Sequence, residues 1–417
     1  MDLLIMEARP VRDVMRRPGW RVLAAVHPPT RISPSMTAAR LSTGRRRELP
    51  RPPGVPAGPG PVPAYCPDLP VACRVVSVGT DTVAAEDLEG HRRELTGYCY
   101  RMLGSGFDAE DAVQETLVRA WRAGEDFEGR SSVRSWLYRI ATNVCLDMIR
   151  GRQRRARPME LGPSRPPVES SLEAVLPEGS WISPIADERV LPPEADPAEV
   201  AVARDSIRLA FVAVLQHLPP RQRAALILCE VLRWQAVEAA ELLDTSVAAV
   251  NSALQRARAT LGSAGVGVRP DPVGAQQRAL LDRYVDAFQR YDIDSLVKLL
   301  QEDAVQSMPP FAMWLCGADD IGRFMLGPGA LCRGSWLIPQ AANGSPAYAQ
   351  FKPDPKGGYM PWALQVLEIS GDRIAGIHSF LDTERLFPAF GLPGHLPAGW
   401  TPESAGFTDE LPPRASS

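Results

Sequence analysis

Proline is unevenly distributed along this chain, and its distribution limits where helices and strands can form. The sequence has 417 residues and 41 prolines, a share well above the usual value of about 5%. Each proline fixes φ and lacks an amide donor, so helix interiors and central strands hold few of them. Prolines are dense before residue 84 and between 156 and 198, but absent from 85–157. Several folded units joined by irregular segments are therefore predicted, as the length also indicates.

Composition and cysteine spacing exclude several classes of protein. Hydrophobic residues make up 45% of the chain and charged residues 23%, which is typical of globular proteins. The seven cysteines form neither a CxxC pair nor a Cys/His cluster, so no metal site or disulfide framework is predicted. No apolar run reaches about 18 residues, and the N-terminus lacks a signal-peptide pattern. We therefore expect a cytoplasmic protein with no membrane partner and no cofactor.

Six segments follow from the breaks in composition. Helical patterns fill two of them, and helix patterns followed by strand-like runs fill a third, which favours an α+β domain. Ser370, Gly371 and Asp372 lie between two such runs, as in a hairpin turn. The segments are a basic, disordered Pro-rich arm or mis-assigned start (1–84), an all-α domain (85–157), an acidic Pro-rich linker (158–198), a second all-α domain (199–265), an α+β domain (275–392) and a flexible tail (393–417).

One helix of the first all-α domain is predicted to carry a polar outer face. Asp108 is the expected N-cap of a helix that runs from Ala109 to about Ala123. Its buried stripe repeats at i, i+4 and i+7. A solvated amphipathic helix without a partner would have the same pattern. The remaining face carries Asp111, Gln114, Glu115 and Arg119.

The next helix is predicted to begin after Ser131 or Ser132 and to end near Arg150. One face is apolar, and a second stripe carries Arg139, Asn143, Asp147 and Arg150. That stripe runs into a cationic edge, which suits the phosphates of a nucleic acid. A basic helix end that complements its own dipole is the alternative. The edge consists of Arg152, Arg154, Arg155 and Arg157.

The second all-α domain has the spacing of a helix-turn-helix. Two short helix patterns, 235–243 and 247–261, are separated by Asp244, Thr245 and Ser246, with Ser246 as the cap of the second helix. Asp244 stands where many such turns have glycine, and Asp tolerates a left-handed φ. The outer face of the second helix carries side chains that read base edges. They are Asn251, Ser252, Gln255, Arg256 and Arg258. A helical hairpin without a DNA role remains an alternative.

Four motifs in sequence order resemble those of one known family. They are Asp108–Trp121, Ser135–Asp147, Leu218–Ala224 and Val250–Arg258. Over about residues 88–263 the chain resembles the extracytoplasmic-function sigma factors of the sigma-70 family. Residues 275–390 are similar to the SnoaL-like cone domain found in the sigma-G and sigma-J type.

The resemblance implies a role for each surface. Region 2 of such proteins binds the clamp helices of the largest RNA polymerase subunit and melts the −10 element. Region 4 binds the −35 element and the polymerase flap, and the linker passes through the RNA exit path; a solubilising disordered tether is the alternative for the linker. Polymerase contacts are expected from Asp108, Asp111, Gln114, Glu115 and Arg119; −10 contacts from Ser131, Ser132, Arg139, Asn143, Asp147 and Arg150; and −35 contacts from Ser246, Asn251, Ser252, Gln255, Arg256 and Arg258. The protein is then a nucleoid-associated promoter-specificity subunit rather than an enzyme.

The α+β domain leaves two further functions open. An apolar set with one His and one Asp is a candidate ligand pocket, although it would equally serve as core. His378 and Asp382, at i and i+4 of a predicted strand, would share a face, so one of them could act as a general base in a SnoaL-like cyclase or hydrolase. A helix-turn-helix repressor with a ligand-sensing domain is the other alternative. The set is Met308, Phe311, Trp314, Trp336, Trp362, Phe380, His378 and Asp382.

Overall fold

The computed structural model describes residues 85–124, 131–192, 196–263 and 275–401. The predicted arm 1–84 and the end of the predicted tail lie outside these residues. Among the described helices, none combines the length and apolar character needed to cross a membrane. The elements are α1 (Ala85–Gly90), α2 (Arg92–Leu103), α3 (Gly106–Arg122), α4 (Val133–Ile149), α5 (Pro197–Asp205), α6 (Leu209–Gln216), α7 (Pro220–Leu226), α8 (Ala236–Leu242), α9 (Val247–Ser263), α10 (Ala275–Arg290), α11 (Ile293–Lys298), β1 (Leu300–Ser307), β2 (Trp314–Cys316), α12 (Ala318–Leu326), β3 (Trp336–Ala342), β4 (Ser345–Pro353), β5 (Tyr359–Ser370), β6 (Arg373–Phe380) and α13 (Thr383–Ala389).

In the first all-α domain, α3 begins earlier than the sequence predicts. Ser105, not Asp108, is the N-cap, because its hydroxyl accepts a hydrogen bond of 3.2 Å from the Asp108 amide. Gly104 ends α2 with a left-handed φ of 70°, and the serine follows directly. The placement of the Asp108 cap is therefore wrong by three residues. The start of α4 after Ser132 is confirmed, since the Ser132 hydroxyl accepts from the Ser135 amide.

The linker packs against its neighbours along residues 158–192. Its irregular backbone contains four short 3-10 turns, and Trp181, Ile182 and Ile185 are buried. Isolated bridges join Ala156 to Trp181 and Ala186 to Ala342 of the sheet. For these residues the alternative of a disordered tether is wrong, because apolar side chains between the prolines enter the hydrophobic core.

The third domain has the predicted α+β fold, and we keep for it the name SnoaL-like domain that the sequence resemblance suggests. Its six strands lie in the order β2-β1-β6-β5-β4-β3, with β1 and β6 parallel and the other neighbours antiparallel. The hairpin at Ser370 to Arg373 is confirmed, with Gly371 at a φ of 62°. One face of the sheet packs on α10, α11 and α12 around Tyr284 and Phe324.

The other face of the sheet belongs to a different hydrophobic core. Side chains such as Phe351 and Leu364 are continuous there with Tyr138 of α4, Ile185 of the linker and Leu215 of α6. We call this cluster the shared core, because both all-α domains, the linker and the sheet contribute to it. The described part of the tail joins it too, through Leu396 and Trp400. The prediction of a flexible tail is therefore wrong up to residue 401.

The turn between β3 and β4 connects three parts of the chain. Asn343 and Gly344 both have a left-handed φ, 56° and 65°, as Asn-Gly hairpins require. Asn343 is completely buried. Its side-chain amide donates to the Tyr100 hydroxyl at 2.6 Å and to the Ile207 carbonyl at 2.7 Å, and its carbonyl oxygen accepts from the Ile185 amide at 3.1 Å. This side chain therefore bonds to both all-α domains and to the linker.

Asp187 gives a pH test of the same contact. The buried carboxylate accepts from the Gly344 amide at 2.7 Å, and burial raises its pKa to about 6 despite that bond. Because the folded pKa lies above the unfolded one, its stabilising contribution is present at low pH and is lost as the pH rises through about 6. The Asp187→Asn variant keeps the acceptor without the titration. The free energy of unfolding of the variant minus that of the wild type should therefore be about 1 to 2 kcal/mol higher at pH 7.5 than at pH 5.

Urea unfolding at the two pH values measures this difference. Asp303→Asn, at an exposed position of β1, is the matched control and should follow the wild type at both. A gap between Asp187→Asn and the wild type that is the same at pH 5 and pH 7.5 would refute the role assigned to Asp187.

Candidate nucleic-acid interface

The helix-turn-helix predicted from the sequence is confirmed. The helices α8 and α9 are joined by a short turn in which Asp244 has a φ of 50°. The Ser246 hydroxyl accepts from the Ala249 amide at 3.2 Å and so caps α9. The Glu238 carboxylate accepts from the Gln235 amide at 2.7 Å at the start of α8. Both helices therefore begin at fixed points, which sets the position of the outer face of α9.

The outer face of α9 presents most of the side chains that the sequence assigned to base reading. Asn251, Gln255 and Arg256 are exposed, and Ser252 is half-buried. The Arg256 guanidinium donates to the Ser252 hydroxyl at 2.5 Å, while Arg258 forms an ion pair with Glu230. Amide and guanidinium groups in this arrangement match the donor and acceptor patterns of the major groove.

The second predicted DNA surface lies on α4. Arg139, Asn143, Asp147 and Arg150 are exposed along one side of the helix, and Arg150 pairs with Asp147 at 3.1 Å. At the helix start, the Ser132 hydroxyl is used as the cap, 2.9 Å from the Ser135 hydroxyl. The exposed Ser131 directly precedes this cap.

The predicted −10 surface lies against the helix-turn-helix. The Arg139 guanidinium donates to the Glu241 carbonyl, near the end of α8, at 3.3 Å. Beside this bond the rings of Tyr138 and Trp234 are 5.1 Å apart, and the Arg134 guanidinium lies over both rings. Residues from the −10 candidate surface are therefore in direct contact with the helix-turn-helix.

The predicted polymerase-binding residues all lie on α3, but not all of them are exposed. Asp111, Gln114, Glu115 and Arg119 are exposed, and Glu115 and Arg119 form an ion pair of 2.6 Å. Asp108 is largely buried between Arg155 at 2.8 Å and Arg152 at 3.0 Å.

Trp121 is a further candidate for the α3 surface that the sequence interpretation did not include. Its side chain is 69% exposed at the end of α3, which is unusual for a large aromatic residue. Trp121 lies seven positions after Gln114, on the same outer face. This spacing, set against the buried stripe of Val113, Leu117 and Ala120, was the available signal. Exposed aromatic residues of this kind are typical anchors of protein interfaces.

The predicted ligand pocket of the SnoaL-like domain is wrong as a single site. Met308, Phe311 and Trp362 belong to the helix-covered core, whereas Trp336 and Phe380 belong to the shared core. The Trp314 indole donates to the Gly162 carbonyl of the linker at 2.8 Å. The sequence identified strands and apolar positions, but not which sheet face each side chain occupies.

The proposed His378–Asp382 pair is not formed as predicted. β6 ends at Phe380, and Asp382 precedes α13 at 3.8 Å from Arg385. His378 is buried, with Nδ1 at 2.8 Å from the Ser307 hydroxyl and Nε2 at 3.5 Å from the Glu368 carboxylate.

Glu368, and not the predicted Asp382, lies beside His378. Its desolvation raises the pKa, but the charges of His378, of Arg157 at the end of the first all-α domain and of Arg208 outweigh it and lower the pKa to about 2. The carboxylate is thus a charged contact between the sheet and the first all-α domain.

Comparisons with known proteins identify the two all-α domains. Residues 88–155 match the family model Sigma-70 region 2, and residues 208–261 match Sigma-70, region 4. The ECF RNA polymerase sigma factor SigG of Mycobacterium tuberculosis is 46% identical over 324 residues, covering 74% of this chain and 83% of that protein. The sigma factor SigJ of the same organism is 29% identical, covering 58% of this chain and 72% of SigJ.

A solved structure is similar over a comparable length. The crystal structure of the M. tuberculosis SigJ protein gives a TM-score of 0.49 at 22% identity, and the match covers 74% of this chain and all of that one. The identity to SigG, the two family regions and the confirmed helix-turn-helix lead to one conclusion. This chain belongs to the extracytoplasmic-function sigma factors of the sigma-70 family, the RNA polymerase subunits that direct transcription to specific promoters.

Proposed function

We propose that this sigma factor is controlled in cis: its SnoaL-like domain holds regions 2 and 4 in a closed arrangement, and opening of that arrangement permits initiation. The observation that carries the proposal is the burial of Asn343, whose side chain bonds to region 2, the linker and region 4 at once. A buried polar group must keep its hydrogen bonds, so a buried Asn343 is satisfied only when all three segments are in place.

The distance between promoter elements supports a closed state. The −10 and −35 elements are named for positions about 25 base pairs apart, or about 85 Å along B-DNA. In the closed arrangement Arg139 of the −10 surface touches the helix-turn-helix. While Arg139 stays in contact with α8, the α4 face and the helix-turn-helix cannot span that length, so region 4 must leave region 2 before both elements are bound.

The acidic linker has a part in the same transition. Glu178 pairs with Arg385 of the SnoaL-like domain, and Asp187 accepts from Gly344. Opening would release both carboxylates. Their negative charge then suits the RNA exit path of the polymerase. The linker would occupy that path until the nascent transcript displaces it.

Each surface then has a defined partner. On α3, Asp111, Gln114, Glu115, Arg119 and the exposed Trp121 would bind the clamp helices of the polymerase, while Asp108 keeps its arginine partners. The α4 face would hold the melted −10 strand through stacking and hydrogen bonds. The α9 face would read the −35 duplex, with region 4 also contacting the flap. This activity would take place in the bacterial cytoplasm, at the nucleoid.

Two alternatives are less well supported. A ligand-sensing repressor has no use for the exposed face of α3, and it would bind duplex DNA tightly without polymerase. A SnoaL-like enzyme requires an open catalytic pair, but His378 is buried and Asp382 lies beyond the strand.

The closed state is tested with Asn343→Ala. Loss of a hydrogen-bonded buried amide costs about 1 to 3 kcal/mol, so the open fraction and the promoter-dependent transcript should rise by about tenfold with polymerase core. The control is Gln340→Ala on β3, whose side chain bonds only to its neighbour Pro339 among the contacts described. Small-angle scattering should show a larger radius of gyration for Asn343→Ala. Unchanged transcription from a folded Asn343→Ala protein would refute control by this contact.

Base reading by α9 is tested with Arg256→Ala on a promoter library. If the guanidinium contacts a base, the change costs about 1 to 3 kcal/mol and relaxes the preference at one −35 position. Arg278→Ala, at an exposed position of α10, is the matched control. An unaltered −35 preference would exclude Arg256 from readout.

Polymerase binding through α3 is tested with Trp121→Ala. Truncation of an aromatic anchor costs about 2 kcal/mol or more, so the affinity for polymerase core should fall by about tenfold or more. Leu326→Ala removes an exposed apolar side chain from α12 and should leave the affinity unchanged. Equal affinities of the two variants would remove Trp121 from the interface.

A further inference from the structure

A cavity lined by arginines lies where region 2 ends, between the linker and the start of region 4. Its volume is about 510 Å³, within the range of small-molecule sites. The walls come from the end of α4, the 3-10 turn Glu178–Ser180 and the segment that leads into α7. The cavity therefore borders three parts of the chain that the closed arrangement brings together.

The charge of the lining is strongly positive. Arg152, Arg154, Arg155 and Arg223 line the cavity, and Asp108 is the one carboxylate among the lining residues. Asp108 is already paired with Arg152 and Arg155, and Arg154 lies 3.7 Å from Glu160 outside the lining. Three positive charges are thus in excess on these walls. The larger cavity of about 1280 Å³ beside α2 instead carries arginines and glutamates in similar numbers.

Arg223 is the most deeply buried of the four arginines. It is 4% exposed, and its terminal nitrogens donate to carbonyl oxygens and to the Gln216 side chain at 2.6 Å. Its Nε has no hydrogen-bond partner among the described residues. Burial, together with the nearby charge of Arg154, lowers the pKa of Arg223 to about 10. A buried cation without a carboxylate partner is costly, so an anion would be stabilising here.

The apolar part of the lining indicates an organic ligand. Leu103, Met148, Ile149 and Leu218 line the same cavity. We propose that the cavity binds a small organic diphosphate of the nucleoside diphosphate class, with the phosphates on Arg152 and Arg154, beside the buried charge of Arg223, and the organic part against the apolar wall. A diphosphate carries about the charge that the lining has in excess, and arginine matches phosphate oxygens in geometry.

Such a ligand would favour the closed arrangement. It would bridge region 2, the linker and region 4, and a ligand that binds one state shifts the equilibrium towards that state. This inference goes beyond the proposed control by the SnoaL-like domain, because Asn343 lies at a different junction. The site can therefore be tested by binding alone, whatever the outcome for Asn343.

The experiment measures binding of ADP and of inorganic pyrophosphate to the full chain by titration calorimetry. The cavity variant is Arg152→Gln with Arg154→Gln, and Asp108 keeps Arg155 as its partner. The charge-matched control is Arg278→Gln with Arg283→Gln, both exposed on α10. Saturable binding by the wild type and the control is expected. The cavity variant should bind at least about tenfold more weakly, since charge-assisted hydrogen bonds to phosphate are lost.

The outcomes separate the sources of binding. Tighter binding of ADP than of pyrophosphate supports a nucleotide, and equal binding supports recognition of the diphosphate group alone. Absence of saturable binding for both probes, or equal binding by the cavity variant, overturns the proposal. It is also overturned if a short single-stranded DNA binds through these arginines while neither probe does. If the double variant does not fold, Arg154→Gln alone gives the same comparison.

Discussion

The shared core is the interaction on which the rest of this structure depends. Side chains from region 2, the linker, region 4 and one face of the sheet form a single buried cluster. Neither all-α domain closes its own hydrophobic surface, and the sheet has an apolar face on both sides. Burial of apolar surface is the main favourable term in folding, so the closed arrangement is built into the stability of the chain.

Polar groups give that core its specificity. Arg101 of α2 is buried and donates to the Ser206 hydroxyl of region 4 at 2.6 Å, and Asn343 bonds to three segments. Apolar contact alone would permit sliding between the domains. Buried hydrogen bonds permit one register, since a shift leaves donors unpaired. The same bonds would make the proposed opening a discrete step and not a gradual one.

The local pattern predicted most of the helical architecture. Val250, Leu254 and Ala257 repeat at helical spacing, and Asp244 in the turn has the expected left-handed φ. β1 has no clear strand pattern in the sequence, because Leu300–Ser307 contains Gln, Glu and Asp, residues that rarely favour strands. Its pairing with β6 is set by distant sequence. The same limit explains why the prediction of a single ligand pocket is wrong. The pattern along one strand does not show which face of the sheet another domain will cover.

The shared core also has a consequence for how such a protein can change over generations. A domain that is joined to its neighbours only by a flexible linker can be replaced by another domain, because the neighbours bury their own apolar surfaces without it. Here, loss of the SnoaL-like domain would expose Tyr100, Ile185 and neighbouring apolar groups to water. Exposed patches of this kind promote association between molecules. The sigma regions and their C-terminal partner are therefore bound to diverge together, with substitutions on one side matched on the other.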